Sequence, residues 1–224
     1  MPTSGTVTFL PDWGDICEEA YERAGLEPKN GYDLRTARRS LNLLFLEWSN
    51  CGLNFWLVDQ QTLTLSPGVA TYDLPGDTID VLDGAIRTGS GTSQSDIIIS
   101  RIGFTTYLQV PNKNNQGRPI QYYVSRNTGS VKVTFYNVPD QAYTFVYYRL
   151  RRIQDSGGME NSPDVPVRFI PAMIAGLAYK IACKRTPDPT LRAQLKQEYE
   201  EQMSMAIDAD AERAPLLIYP RSYM

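Results

Sequence analysis

Apolar residues first recur at helical spacing in the segment "PDWGDICEEAYERAG", residues 11 to 25. Its small apolar residues recur four apart, at Ile16, Ala20 and Ala24. Asp12 is typical of a helix N-cap, acidic residues fill the early turns where the helix dipole favours them, and Gly25 suits the end. The pattern predicts a first helix that buries a narrow stripe.

The second segment with helical spacing, and the clearest one, extends from about Tyr32 to Cys51. Its apolar positions recur three or four residues apart, at Leu34, Ala37, Leu41, Leu44, Phe45 and Trp48. Gly52 follows as a stop signal. We predict a helix that buries one face. Its other faces carry Arg35, Arg38 and Arg39.

From Asn54 to Ile153 the pattern changes to short β-rich runs separated by turn signals, such as "SPG" and "NTGS". Tyr143, Phe145 and Tyr147 alternate as expected for a strand with one packed face. The segment "GFTTYLQVP" suits one short helical turn. About seven short strands at this spacing predict a small antiparallel sandwich or barrel.

Apolar residues again recur at helical spacing after the loop "QDSGGMENSPD". Residues 166 to 185 are apolar on most sides, which predicts a helix sandwiched between others, with Pro171 starting or kinking it. Asp188 and Pro189 then suit the cap and first residue of a last helix that runs to about Arg213. Its apolar residues recur four apart, at Leu191, Leu195, Tyr199 and Met203.

These elements predict an α+β fold in which helices from both ends of the chain form one bundle. The bundle domain comprises residues 1–53 and 154–213, and an antiparallel β-sandwich or barrel domain, residues 54–153, is inserted in it. Residues 214–224 form an extended C-terminal tail, because Pro215 interrupts the last helix.

Composition is that of an ordinary globular protein, with 224 residues, 42% hydrophobic and 21% charged. No run approaches the roughly 18 apolar residues that a membrane helix needs. The N-terminus lacks a basic region followed by an apolar stretch, so we expect no secretory signal and no membrane partner. Cys17, Cys51 and Cys183 are widely spaced, which favours buried thiols in a reducing compartment.

The chain contains no histidine. This excludes the commonest general base and zinc ligand and every catalytic triad that uses one. Carboxylate pairs, lysine and carboxylate-bound magnesium remain open. Glu18, Glu19 and Glu22 offer the paired carboxylates of a glycosidase, but acids at the start of a helix are expected from its dipole alone. No cofactor is implied.

Other motifs favour structural interpretations. "TGSGTSQSD" lacks the spacing of a phosphate loop and suits a hairpin loop. The aspartates of "YDLPGDTIDVLD" depart from EF-hand spacing and suit turns. "YYRLRRIQ" combines aromatic and basic residues, as single-stranded nucleic-acid sites do, but with a pI near 5.1 a packed strand end is favoured.

Acidic charge concentrates in the last helix, where residues 188 to 213 hold seven acidic against three basic residues. Such a helix presents a solvated face, or an acidic surface towards a partner or a channel. The chain also has fourteen tyrosines and the apolar tail "APLLIYPRSYM". Together with the shortage of catalytic residues, these features favour a protein that works by contact.

The segment "ARRSLNLLFLEWSNCGLNFWLVDQQTLTLSPGVATYDLPGDTIDVLDGAI" resembles the N-terminal region of head-to-tail adaptor proteins of tailed bacteriophages, mainly the short-tailed ones. "PNKNNQGRPIQYYV", "VYYRLRRIQDSG", "PVRFIPAMIAGLAYKIACKR" and "LKQEYEEQMSMAIDADAER" continue the resemblance in the same order. It covers most of residues 10 to 213, and none of these segments is a catalytic signature.

The resemblance implies a structural virion protein without enzymatic activity, made in the host cytoplasm and placed at the head-to-tail interface. It would form a homo-oligomeric ring, commonly of about twelve copies, between the portal protein and the tail nozzle protein. Packaged DNA would pass through without sequence-specific binding. The family's fold is similar to the fold predicted above from the spacing of apolar residues, a helical bundle with an inserted β domain.

Three groups of residues are candidates for these contacts. In this family a C-terminal extension grips the portal, and here the tail would dock on the portal or on a ring neighbour through Pro215, Leu216, Leu217, Ile218, Tyr219 and Tyr223. The arginines of the second helix, Arg35, Arg38 and Arg39, would contact acids of the next subunit. Acids of the last helix, Glu198, Glu201 and Asp208, would face the DNA channel and repel phosphate.

Two alternatives from other classes stay open at this point. One is a cell-wall glycoside hydrolase that uses Glu18 and Glu22. The other is a tail-associated carbohydrate-binding module, suggested by tyrosines on a β scaffold.

Overall fold

The computed structural model describes residues 5–6, 9–50, 55–89, 91–127 and 129–210. The chain divides into two compact units, one of Met1–Leu53 with Gln154–Met224 and the other of Asn54–Ile153. The first unit is helical and the second holds the β-sheet, with one short helix, so the predicted α+β class with an inserted β region is confirmed.

In the described part of the helical unit there are four α-helices, and each starts close to where the spacing of apolar residues predicts. They are α1 (Trp13–Arg23), α2 (Gly31–Asn50), α4 (Ile170–Arg185) and α5 (Pro189–Asp210). A capping box begins α1, in which the Asp12 side chain accepts from the Asp15 amide and the Asp15 side chain accepts from the Asp12 amide. The predicted stripe of Ile16, Ala20 and Ala24 is buried. Pro171 lies in the first turn of α4 and starts it without a kink.

An aromatic cluster joins helices from the two ends of the chain. The ring of Trp48 lies 5.9 Å from Phe45 and 6.0 Å from Phe169, and Trp13 lies 5.7 Å from Phe45 on the other side. The Trp48 indole N–H donates to the Tyr199 hydroxyl at 2.9 Å. The buried indole is therefore satisfied, and the cluster ties α1, α2 and α5 around the start of α4.

Helix α4 is the centre of the unit, because it packs against α1, α2 and α5. Its small residues allow close approach: a Cβ at Gly176 would lie 2.8 Å from a Tyr199 ring carbon and 3.0 Å from Leu44 Cδ2. The prediction that α4 is sandwiched between other helices is confirmed.

The β unit is built on one curled sheet of seven strands. The strands are β1 (Val58–Leu65), β2 (Thr71–Asp73), β3 (Thr78–Thr88), β4 (Ser95–Ile102), β5 (Gln121–Arg126), β6 (Val131–Tyr136) and β7 (Tyr143–Arg151). Their order across the sheet is β1-β7-β3-β4-β5-β6-β2. Sequence reasoning predicts an antiparallel sandwich or barrel, whereas the strands form a single mixed sheet.

One pair of strands departs from the antiparallel prediction. Strands β4 and β5 are parallel over Ser100–Ile102 and Gln121–Tyr123. The connection between them contains the short helix α3 (Phe104–Gln109), which sequence reasoning predicts as a helical turn. A connection of this length lets the chain cross over and return in the same direction, which a tight hairpin cannot do.

The concave core of the sheet is aromatic. Phe145 on β7 is fully buried, with Phe135 edge-on at 4.9 Å and Tyr147 stacked at 5.1 Å. Gly84 on the neighbouring strand β3 faces this ring: a Cβ there would lie 2.3 Å from Phe145 Cε2. The absence of a side chain at Gly84 is thus a packing requirement.

We predict that Gly84→Ala destabilises the protein by about 1–3 kcal/mol, because the added methyl group overlaps a ring that has no free space to move into. Chemical unfolding followed by near-ultraviolet circular dichroism measures the change. Gly76→Ala is the matched control, because nothing lies within 4 Å of a Cβ at that position. Equal stability of the two variants would show that the Phe145 ring can shift at little cost.

Candidate functional site

The exposed face of α2 carries the three arginines that the sequence places there. Arg35, Arg38 and Arg39 are all exposed. Arg35 donates to the Gly31 carbonyl at 3.3 Å, and Arg38 donates to the Gly157 carbonyl at 2.9 Å. Within the described ranges none of the three forms an ion pair with a carboxylate. Their charges are therefore available to a partner.

Lys184 on α4 extends this basic region. Its ammonium donates to the Ser40 hydroxyl of α2. Burial, followed by the like charges of Arg39, Lys180 and Arg185, lowers the pKa of Lys184 below its ordinary value. The ammonium of Lys184 therefore adds a positive charge close to those of Arg39, Lys180 and Arg185.

Both acids of α2 are already paired. Asp33 on α2 is bound by Arg185 at 2.5 Å, and Glu47 is bound by Lys180 at 2.6 Å. Neither carboxylate is free to neutralise the arginines of α2. The exposed side of α2, together with Lys184, thus forms a locally basic surface although the whole chain has a net charge of −3.

Apolar side chains lie beside the arginines. Leu43 is 49% exposed and Leu46 is 47% exposed, on the side of α2 opposite its buried face. Sequence reasoning missed both, because it assigns apolar helix positions to the core. Their spacing could have identified them, since they do not fit the stripe of Leu41, Leu44 and Trp48.

The three acids of the last helix that are candidates for facing the DNA channel differ in their surroundings. Glu198 is bound by Arg23 of α1 at 2.5 Å, so its charge is compensated within the chain. Glu201 is exposed and accepts a hydrogen bond from the neutral Gln197 at 2.8 Å. Asp208 is exposed in the last turn of α5. Glu201 and Asp208 therefore carry the outward negative charge of this group.

The tail residues Pro215, Leu216, Leu217, Ile218, Tyr219 and Tyr223 lie outside the described residues. The docking role predicted for them stays a prediction.

The aromatic and basic motif "YYRLRR" is a structural element of the sheet. Arg149 on β7 is only 5% exposed. It donates to Asp59 of β1 (Nε–Oδ1, 2.8 Å) and to Asp77 before β3 (Nη1–Oδ1, 2.5 Å). The guanidinium joins the two strands that flank β7, and the interpretation as a packed strand end is confirmed.

This cluster changes the titration of its members. Burial alone would raise the pKa of Asp59, but hydrogen bonds from Arg149 and Gln61 and the charge of Arg149 outweigh it, and the pKa is lowered. The pKa of Arg149 is raised, because its bonds to Asp59 and Asp77 outweigh the opposing effect of burial. Both groups therefore stay charged in the folded protein.

Two other aspartates of "YDLPGDTIDVLD" bind cations of the protein itself. Asp73 pairs with Lys132, and Asp80 pairs with Arg101 and Arg126. In the part of the chain that the structure describes, no group of three or more His, Cys, Asp or Glu side chains could hold a metal ion.

The remaining candidates are placed as follows. Glu18 and Glu22 are exposed one turn apart on α1, and Glu19 beside them is bound by Arg23.

Cys17 is buried, and burial together with Glu18 raises its pKa to about 11. Cys183 is exposed, so the prediction of a buried thiol is wrong there, because it lies in the last turn of α4 beyond the packed region. Cys51 lies outside the described residues.

Comparison with known families gives a match over most of the chain. The family described as SU10 adaptor protein matches residues 32–219, which include α2, the whole sheet, α4, α5 and the first part of the tail. A search of curated proteins finds no match. None of the helices in the described ranges is both long and apolar enough to cross a membrane.

We predict that Arg149→Ala destabilises the protein by about 2–4 kcal/mol, because it leaves Asp59 and Asp77 without their buried counter-charge. Urea unfolding measures the loss. Arg152→Ala removes the same charge from an exposed position nearby and should change stability by less than about 0.5 kcal/mol. Equal losses in the two variants would show that Arg149 has no special role.

The lowered pKa of Asp59 predicts a pH dependence of stability. A carboxylate with a lowered folded pKa stabilises fully above its unfolded pKa of about 3.9, and this contribution is lost as the pH falls through the folded value. Asp59→Asn should therefore flatten the fall in unfolding free energy between about pH 5 and pH 2. Asp83→Asn, at an exposed position on β3, should keep the steeper fall. Identical profiles for Asp59→Asn and the unmodified protein would contradict this.

Proposed function

The chain belongs to the SU10 adaptor protein family of bacteriophage structural connectors, which is not catalytic, and from this premise we propose that it is a ring-forming head-to-tail adaptor. It joins the portal protein to the tail nozzle protein and helps to retain and pass the packaged DNA. Family membership favours this role over a glycoside hydrolase that uses Glu18 and Glu22 and over a carbohydrate-binding module.

The extent of the family match carries the proposal. The matched segment, residues 32–219, begins at the start of α2 and ends within the tail. It therefore contains two of the proposed partner surfaces, which are the exposed arginines of α2 and the apolar residues Leu216, Leu217, Ile218 and Tyr219.

A ring of identical subunits needs two different contact surfaces on each copy. The arginines of α2 suit one of them, because Arg35, Arg38 and Arg39 are exposed and find no carboxylate within the described part of their own chain. The exposed acids Glu201 and Asp208 suit either the opposite contact or the wall of the passage. Acids on such a wall would repel phosphate, and DNA would move without adhering.

The tail is the proposed docking segment for the portal or a ring neighbour. Its apolar residues lie between Pro215 and Pro220, and so short a segment buries too little surface by itself to offset the entropy of ordering. A groove or a free sheet edge on a partner would supply the missing contacts.

We predict that deleting residues 214–224 leaves the melting temperature of the free protein unchanged within about 1 °C, because the aromatic cluster of the helical unit is formed by residues outside this segment. The same deletion should weaken attachment to purified portal at least tenfold. Sedimentation of portal mixed with labelled full-length or truncated protein measures the attachment.

Two controls make the result specific. Ser222→Ala changes the tail without removing apolar surface and should bind like the unmodified chain. Leu217→Ser with Ile218→Ser keeps the length and should bind like the deletion. A truncated protein that melts several degrees earlier would show that the tail belongs to its own fold. Undiminished attachment after the deletion would show that the tail does not dock on the portal.

A further inference from the structure

One side of α2 bears a stripe of exposed residues with regular spacing. The members of this basic stripe are Tyr32, Arg35, Arg39, Leu43 and Leu46, all of them exposed. Successive members are three, four, four and three residues apart, which on an α-helix gives a straight line along one face. The stripe lies opposite the buried face that contains Leu41, Leu44 and Trp48.

One side of α5 bears a second stripe with the same spacing. The members of this acidic stripe are Gln194, Gln197, Glu201, Met205 and Asp208, all exposed. Met205, the apolar member of this stripe, is 63% exposed. At 1.5 Å per residue both stripes are about 21 Å long.

The two stripes are opposite in charge and similar in pattern. Each has charged groups in its middle, Arg39 in the basic stripe and Glu201 in the acidic one, and each has an apolar side chain four residues further on, Leu43 or Met205. Such an arrangement lets apolar side chains pack while the charges fix the register.

Neither stripe is covered by the described residues of its own unit. Helix α4 packs against both α2 and α5, and the two stripes lie on the sides of those helices that are exposed. Arg35 bonds a backbone carbonyl and Glu201 bonds a neutral amide, so neither has an opposite charge to satisfy it among the described residues. The stripes lie on different helices, so a contact between them is heterologous and leads from copy to copy.

We propose that the basic stripe of one copy docks on the acidic stripe of the next copy. The inference rests on the proposed ring and names its subunit contact. It assigns Glu201 and Asp208 to that contact rather than to the wall of the DNA passage. Salt weakens the contact, because the charges that set its register lie at a surface.

Charge reversal on each stripe tests the pairing. The first variant combines Arg35→Glu with Arg39→Glu, and the second combines Glu201→Arg with Asp208→Arg. A third carries all four substitutions and restores opposite charges with the signs exchanged. Arg118→Glu with Arg152→Glu is the matched control, since both arginines are exposed on the β unit. Circular dichroism verifies that each variant is folded.

The measurement is ring assembly on purified portal, counted by electron microscopy and native mass spectrometry. We expect each one-sided variant to lose assembly at least tenfold, the fourfold variant to regain it, and an equimolar mixture of the two one-sided variants to assemble as alternating copies. The control should assemble normally. One-sided variants that assemble like the unmodified protein would overturn the proposal, and so would a fourfold variant that is as defective as its parents.

Failure here is distinguishable from failure of the adaptor role. If the unmodified protein forms rings on portal and the one-sided variants do so equally well, only the stripe contact is wrong. If the unmodified protein neither attaches to portal nor forms rings, the proposed function is wrong, and with it the inference.

Discussion

The aromatic cluster of Trp13, Phe45, Trp48 and Phe169 is the contact on which the helical unit depends. Trp48 lies between Phe45 and Phe169 and donates its indole N–H to Tyr199, so one buried side chain joins elements that are more than a hundred residues apart in sequence. These contacts form only after the intervening sheet sequence has been made. They also fix the rotation of α2 about its axis, because burying Phe45 and Trp48 turns Arg35 and Arg39 outward.

The β unit depends on a different kind of contact. Arg149 bonds Asp59 and Asp77 and so connects β7 with the strands on both of its sides. Its charge is used inside the fold, whereas the arginines of α2 have no such partner in the described ranges. Among these arginines, the one that binds carboxylates stabilises the fold, and those that bind none lie at the surface.

Much of the fold could be predicted because its signals are local. The helical periods, the Asp12 cap and the proline at the start of α4 each act within a few residues. The parallel pairing of β4 with β5 could not be predicted, because it depends on where an intervening connection crosses.

At the candidate site, the exposure of Arg35 and Arg39 follows from periodicity. The pairing of Glu198 with Arg23 does not, since those residues are 175 positions apart. The exposure of Leu43 and Met205 could not be predicted from their type either, because apolar residues are expected to be buried.

These observations describe an adaptor-family protein with two packed units and with exposed charged and apolar side chains on α2 and α5. The central claim is that copies of the chain assemble as a ring on the portal. Cryo-electron microscopy of isolated portal, alone and mixed with this protein, tests it most directly. The account predicts an added ring on the tail-facing side of the portal, with one copy of the helical unit contacting the next. Portal particles that remain unchanged across a range of salt and protein concentrations would contradict it.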